Sequence, residues 1–158
     1  MIVLGIDPGL AATGWAVVKK EKKIKLIDCG CIKTETKDSF DKRLCFIFDE
    51  IKKIAAKAKP QAAAIEEIFF AKNTKTAIKV AQAMGVIKLA CRKSKVPVFE
   101  YTPLNIKITI TGYGRADKNQ VKSMVLRTLN LKKKIKWSHT FDAMAVSLTH
   151  LFTNLQLK

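Results

Sequence analysis

The order of periodic segments predicts an α/β protein: a five-stranded mixed sheet, three antiparallel strands followed by two parallel ones, with helices on both faces. Three observations carry that expectation. Three strand-like segments open the chain in the manner of an antiparallel meander, and helix and strand patterns then alternate. The 158 residues, nearly half of them hydrophobic, are also enough to bury a substantial core. No internal repeat or linker divides the sequence, so a single domain over 1–158 is expected.

Residues 2–7 alternate little and are mostly β-branched or Leu, as in a strand covered on both faces. Pro8-Gly9 breaks that strand, Thr13–Val18 resumes as a second, and the charged Lys19–Lys23 reads as a hairpin tip before a third at Ile24–Ile32. From Asp38 to Lys59 the apolar residues at 40, 44, 47, 48, 51, 54 and 55 keep a helical period, which Pro60 ends. A short apolar strand at Ala62–Ile68 carries Glu66-Glu67 near its end. A helix capped by Asn73 or Thr74 runs to about Lys93, and Val96–Tyr101 is the fifth strand. Helical stretches follow at Pro103–Thr111, Ala116–Asn130 and His139–Phe152. On the last of these, Phe141, Met144, Ala145, Leu148 and Phe152 form an expected core face, leaving His139 and Asp142 on a polar one. The helix from residue 73 is apolar around more than half its circumference, through Ile78, Val80, Ala81, Met84, Gly85, Ile87, Leu89 and Cys91. Packing on a sheet alone needs a stripe of roughly 100°. The surplus predicts a second packing surface, and hence a homodimer, with Gly85 admitting a close helix.

Thirty Lys and Arg against 13 Asp and Glu leave a net charge of +17. Such an excess repels itself and points to a polyanionic partner, nucleic acid first. The lysines are spread along the chain, unlike the juxtamembrane cluster that binds an anionic membrane. No run approaches a membrane span and no signal peptide is evident. Cysteines at 29, 31, 45 and 91 make neither a C-x-x-C pair nor a disulfide framework, consistent with a reduced, cytoplasmic setting.

Acidic residues are scarce, so those in apolar surroundings stand out. Asp7 ends the first strand, Glu66 and Glu67 the fourth, and Asp142 lies in the first turns of the last helix, three residues after His139. If the first and fourth strands are parallel neighbours, Asp7 and one of the two Glu converge at their carboxyl ends, where open α/β sheets place ligands. Carboxylates gathered at one point resist ionising together, and a divalent cation removes the conflict. Oxygen ligands suit Mg²⁺ or Mn²⁺, and an imidazole favours Mn²⁺ more than an all-oxygen set does. Taken singly, Asp7 also fits a turn before Pro-Gly, and Asp142 a helix N-terminus.

Gly5-Ile-Asp-Pro-Gly9, Ala64-Ile-Glu-Glu-Ile-Phe-Phe-Ala-Lys-Asn73, Gly85, Pro97-Val-Phe-Glu-Tyr101 and Asp142-Ala-Met-Ala-Val-Ser-Leu-Thr-His150 resemble the bacterial RuvC Holliday-junction resolvases, in order and at matching spacing from the first residue to about 152. The resemblance implies an RNase H-like fold acting as a homodimer. It places catalytic, metal-binding positions on Asp7, Glu66, His139 and Asp142, choosing Glu66 over Glu67. Most members carry Asp where this chain has His139. The implied reaction is metal-dependent hydrolysis of DNA phosphodiesters, with Mg²⁺ or Mn²⁺ and two ions per site. It leaves paired nicks of 5′-phosphate and 3′-hydroxyl ends in a four-way junction, in recombination and repair, with a RuvA–RuvB branch-migration complex as partner.

DNA contacts are expected from Phe69, Lys72, Lys107, Arg115 and Lys118, of which Lys107 and Lys118 coincide with basic positions of the family. Phe69 is placed to stack on an unpaired base, and Phe70 to plug the gap between strand and helix. Gly112–Ala116 reads as a loop under DNA, and Lys132–Lys136 as a basic approach to the acidic cluster. Two other readings remain: an RNase H-like nuclease acting on RNA, and a junction-binding module without catalysis. An actin-type ATPase needs a second lobe for which this chain is too short.

Overall fold

A computed structural model describes residues 1–67, 74–131 and 138–154. The five strands β1 (Ile2–Asp7), β2 (Ala12–Lys20), β3 (Ile24–Lys33), β4 (Ala62–Glu66) and β5 (Val98–Tyr101) form one sheet in the order β3-β2-β1-β4-β5. The first three pair antiparallel; β4 lies parallel to β1, and β5 parallel to β4. β1 is therefore central, and the carboxyl ends of β1, β4 and β5 share one edge. The near-continuous hydrophobicity of β1 follows from this position. Leu4 and Ile6 enter one core and Val3 the other, each fully buried.

Helices α1 (Phe40–Ala58) and α2 (Thr74–Lys93) cover the first face. On α1, Ile47, Ile51 and Ala55 repeat every four residues and are buried, while Phe40, Leu44, Phe48 and Ile54 flank them at partial burial. Lys59 closes this helix in the left-handed region, at φ 46°, with its N–H on the Ala55 carbonyl at 2.9 Å. The other face carries α3 (Pro103–Thr111), α4 (Lys118–Thr128) and α5 (Ser138–Thr153). Thr102 caps α3 ahead of Pro103. Asp117 caps α4 in a reciprocal box with Gln120, so α4 starts two residues later than its periodicity suggests.

α5 departs from expectation. A core face opposed to a polar one was expected, but every residue from Thr140 to Leu151 except Asp142 is buried. The helix lies between the sheet on one side and α3 and α4 on the other. Its first turns, with His139 and Asp142, and its last residues, Phe152 and Thr153, reach the surface. Its buried hydroxyls return to its own carbonyls, Ser147 to Met144 at 2.8 Å and Thr149 to Ala145 at 2.9 Å. His150 is buried at its far end, with Nδ1 2.7 Å from the Tyr101 hydroxyl.

Two glycines decide how near α5 comes to the sheet. A Cβ at Gly5 would stand 2.0 Å from the Ala143 carbonyl oxygen, and one at Gly14 would stand 2.1 Å from that of His139. No side chain fits at either position, so the α5 backbone rests directly on β1 and β2. Gly14 lies opposite Asp7 in the sheet, and that contact brings the start of α5 to the end of β1.

Candidate active site

Asp7, the last residue of β1, points into a cleft of about 340 Å³ at the carboxyl edge of the sheet. Its carboxylate Oδ2 accepts a hydrogen bond from His139 Nδ1–H at 2.7 Å. Asp142, one helical turn beyond His139, completes a group whose ligand atoms all lie within 4.8 Å of one another. Glu66, the last residue of β4, lines the same cleft, with Glu67 beside it. The parallel β1/β4 register brings the ends of these strands together, since Ile6 lies opposite Ile65.

Electrostatics bind the acids into one unit. Burial pushes the Asp7 carboxyl up to about 6; the His139 bond opposes the rise and the Asp142 charge adds to it. Burial raises Glu66 to about 7, reinforced by the negative charges of Asp7 and Asp142. Lys118 pulls both values down and Lys107 pulls Glu66 down, so both ammonium groups act on the acids across the cleft. A carboxylate held near neutrality in a cleft marks a functional site. The donors fit a divalent cation: carboxylate oxygens and one imidazole nitrogen already gathered, with repulsion that a positive ion relieves.

Of the residues expected in the site, Asp7, His139 and Asp142 come together as the close group. Glu66 joins them in the cleft and is coupled to Asp7 and Asp142 by charge, but lies outside the 4.8 Å group. Lys107, from α3, and Lys118, the first residue of α4, line the cleft wall. Arg115 does not: it is exposed in the α3–α4 connection, beyond the cleft lining. Phe69, Phe70, Lys72 and the Lys132–Lys136 run lie outside the described residues.

Sequence reasoning passed over the apolar part of the cleft, where Val80, Ile106 and Val121 stand beside the acids. It also passed over Gly14. Each fits an ordinary core or strand pattern, and only the approach of α5 gives Gly14 its purpose.

A profile of the family described as "Crossover junction endodeoxyribonuclease RuvC" matches residues 3–150. A crossover junction endodeoxyribonuclease RuvC of Finegoldia magna is 46% identical over 153 residues, covering 96% of this chain and 93% of its own length. The enzyme of the same description from Clostridioides difficile is 45% identical over 155 residues, covering 98% and 92%. Among solved structures, Thermus thermophilus RuvC in complex with a Holliday junction substrate superposes with a TM-score of 0.93 at 35% identity, over 99% of this chain and 96% of that one. The yeast mitochondrial Holliday junction resolvase Ydc2 shares the fold at a TM-score of 0.71 and 11% identity. From the third residue to the end of α5, the chain belongs to the RuvC family of crossover junction endodeoxyribonucleases.

Proposed function

We propose that this chain resolves four-way DNA junctions by paired, metal-dependent hydrolysis of phosphodiesters, with Asp7, Glu66, His139 and Asp142 as the catalytic set. The observation that carries the reading is the gathering of Asp7, His139 and Asp142 within 4.8 Å, beside a half-buried Glu66, in a chain matched by the family from residue 3 to 150. The chain acts as one nuclease unit over 1–158.

Asp7, His139 and Asp142 hold a divalent cation, Mg²⁺ or Mn²⁺, and Glu66 with Asp7 holds a second. Such ions, when bound, would supply Lewis-acid charge and an acidified water for an in-line displacement, and Asp7, common to both sets, would be a ligand to each. The His139 Nδ1–H bond orients the Asp7 carboxylate and leaves Nε2 as a further ligand or a carrier of a proton. Lys107 and Lys118 bind non-bridging phosphate oxygens and offset charge that grows in the transition state. Apolar Val80 and Ile106 limit water around the acids. Phe69, Lys72 and Arg115 are proposed as further contacts to DNA.

A homodimer places two such clefts on a symmetric junction. Ile78 and Leu89 are each about half exposed on α2 (53% and 50%), and among the described residues nothing outside the helix's own backbone lies within 4 Å of a Cβ at Gly85. Lying on one stripe of the helix, they support α2 as the contact between copies. A RuvA–RuvB complex is the proposed branch-migration partner. Among the described residues no helix is long and apolar enough to cross a membrane, in keeping with work on cytoplasmic DNA.

The test is substrate choice. A synthetic four-way DNA junction in Mg²⁺ is expected to be nicked in paired strands, while linear duplex DNA and linear RNA stay intact. Preferential cutting of RNA would transfer the chain to another RNase H-like activity.

A further inference from the structure

Next to the catalytic cleft, across Pro8 and His139, lies a second groove, of about 450 Å³. The two depressions share Pro8, Val80 and His139. They adjoin along these three residues as two halves of one surface. The first half carries Lys107 and Lys118. The second is floored by the Gly9–Ala12 backbone and carries Arg43, from the first turn of α1, and Lys79, from α2.

Arg43 is held in place, and its charge is not spent on an acid. Its Nε–H donates to Thr34 Oγ1 at 2.8 Å, and the Thr34 hydroxyl donates to the Leu10 carbonyl at 2.6 Å. The Thr34 N–H adds a bond to the Ala11 carbonyl at 3.2 Å. One threonine thus ties the guanidinium to the loop that follows Asp7. Among the described residues no carboxylate lies within ion-pair distance of Arg43. A planar fork fixed through Nε on a residue that lines a groove is suited to two-point recognition of phosphate.

We propose that this groove is a second DNA-backbone subsite, in which Arg43 grips a phosphate of the cut strand on the side of the scissile bond opposite Lys107 and Lys118. This rests on the junction-nuclease reading above. A strand gripped on one side of the metal ligands can pivot about the reacting phosphate; gripped on both, it is held in line. Arg43 is accordingly a positioning residue, with Lys79 adding charge at the groove wall.

The experiment measures junction binding across a salt series in an Asp7→Asn parent, with and without Arg43→Gln, using four-way junctions that carry a single neutral methylphosphonate at each phosphate flanking the cut in turn. Losing one phosphate contact is expected to weaken binding about tenfold and to flatten the slope of log K against log salt by about 0.7–0.9. One methylphosphonate on one side of the cut is expected to weaken the parent yet leave Arg43→Gln unaffected. Arg43→Lys, which keeps charge but not the fork, restores the slope; a purely structural role for Arg43 leaves the slope unmoved in both variants. If Arg43→Gln fails to fold, the methylphosphonate scan compares the parent with Arg43→Lys, where the same position is expected to show a reduced penalty. Unchanged affinity and slope in Arg43→Gln, or equal penalties at every position in parent and variant, overturns the subsite alone. A native chain that cuts no junction overturns the reading beneath it.

Discussion

Gly14→Ala tests how the site is assembled, because the residue touches no substrate and carries no charge. Its new Cβ would stand 2.1 Å from the His139 carbonyl oxygen, 2.4 Å from the carbonyl carbon and 2.8 Å from the His139 Cβ, whereas ordinary contact begins at 3.4 Å. The obstacle is backbone, so no rotamer relieves it, and the first turn of α5 must withdraw by about 1.3 Å. That movement carries His139 and Asp142 away from Asp7 and stretches the 2.7 Å bond between His139 and Asp7 past hydrogen-bonding range. Overpacking of this kind costs about 1–3 kcal/mol of stability. A displacement of about 1 Å in catalytic groups lowers a rate by about 10²-fold. Single-turnover cleavage of a four-way junction, read beside thermal melting, separates the two effects. The expected outcome is a folded protein, several degrees less stable, with cleavage reduced about a hundredfold and junction binding nearly unchanged. Native cleavage and native melting in Gly14→Ala would refute the claim that backbone contact between β2 and α5 builds the site.

Further predictions concern charge and assembly. Burial and mutual repulsion raise the folded-state values of Asp7 and Glu66, to about 6 and about 7. Without metal, the stability these groups contribute is full below their unfolded values near pH 4 and is lost as pH rises through 6 and 7. Glu66→Gln is therefore expected to raise the metal-free melting temperature at pH 8 by about 2–4 °C, from about 1 kcal/mol left after solvent screening, and to change it little at pH 4. A calorimetric scan at both pH values checks this, and an equal effect at both contradicts it. Leu89→Glu puts a charge on a half-exposed helical position, and light scattering is expected to find monomers in place of the dimer proposed for the native chain, with circular dichroism unchanged. Persistence of the dimer removes α2 from the interface.

The sheet is legible because β1 and β4 are short apolar runs without alternation, bounded by Pro8-Gly9 and by Pro60, as strands covered on both faces are. The order of strands and helices allows β1 and β4 to be parallel neighbours, and on that condition Asp7 meets one of Glu66 and Glu67 at one edge; the choice of Glu66 comes from the family resemblance and not from the order of elements. α5 was misjudged for a related reason. Its apolar residues were read as one stripe, but Ala143, Val146 and Ser147 are small enough to pack on a second layer, and Ala or Ser does not announce burial. Gly5 and Gly14 were silent because a glycine in a strand has several uses, and the backbone it must admit belongs to a helix more than a hundred residues away. The separation of Glu66 from the close triad was likewise illegible. Sequence order brings strand ends to one edge, but the distance from β4 to the α5 turn depends on packing. Arg43 escaped notice because an arginine in a helical first turn looks like an ordinary surface charge until Thr34 is found beneath it.

The most direct test of the whole account is cleavage of a synthetic four-way junction in Mg²⁺ by the native chain and by Asp7→Asn, with binding measured on the same junction. The account predicts paired symmetric nicks from the native chain. From Asp7→Asn it predicts a loss of cleavage of at least about 10³-fold, with undiminished binding and an intact fold. Equal cleavage by the two proteins would contradict it, because the carboxylate at the end of β1 would then have no part in the chemistry.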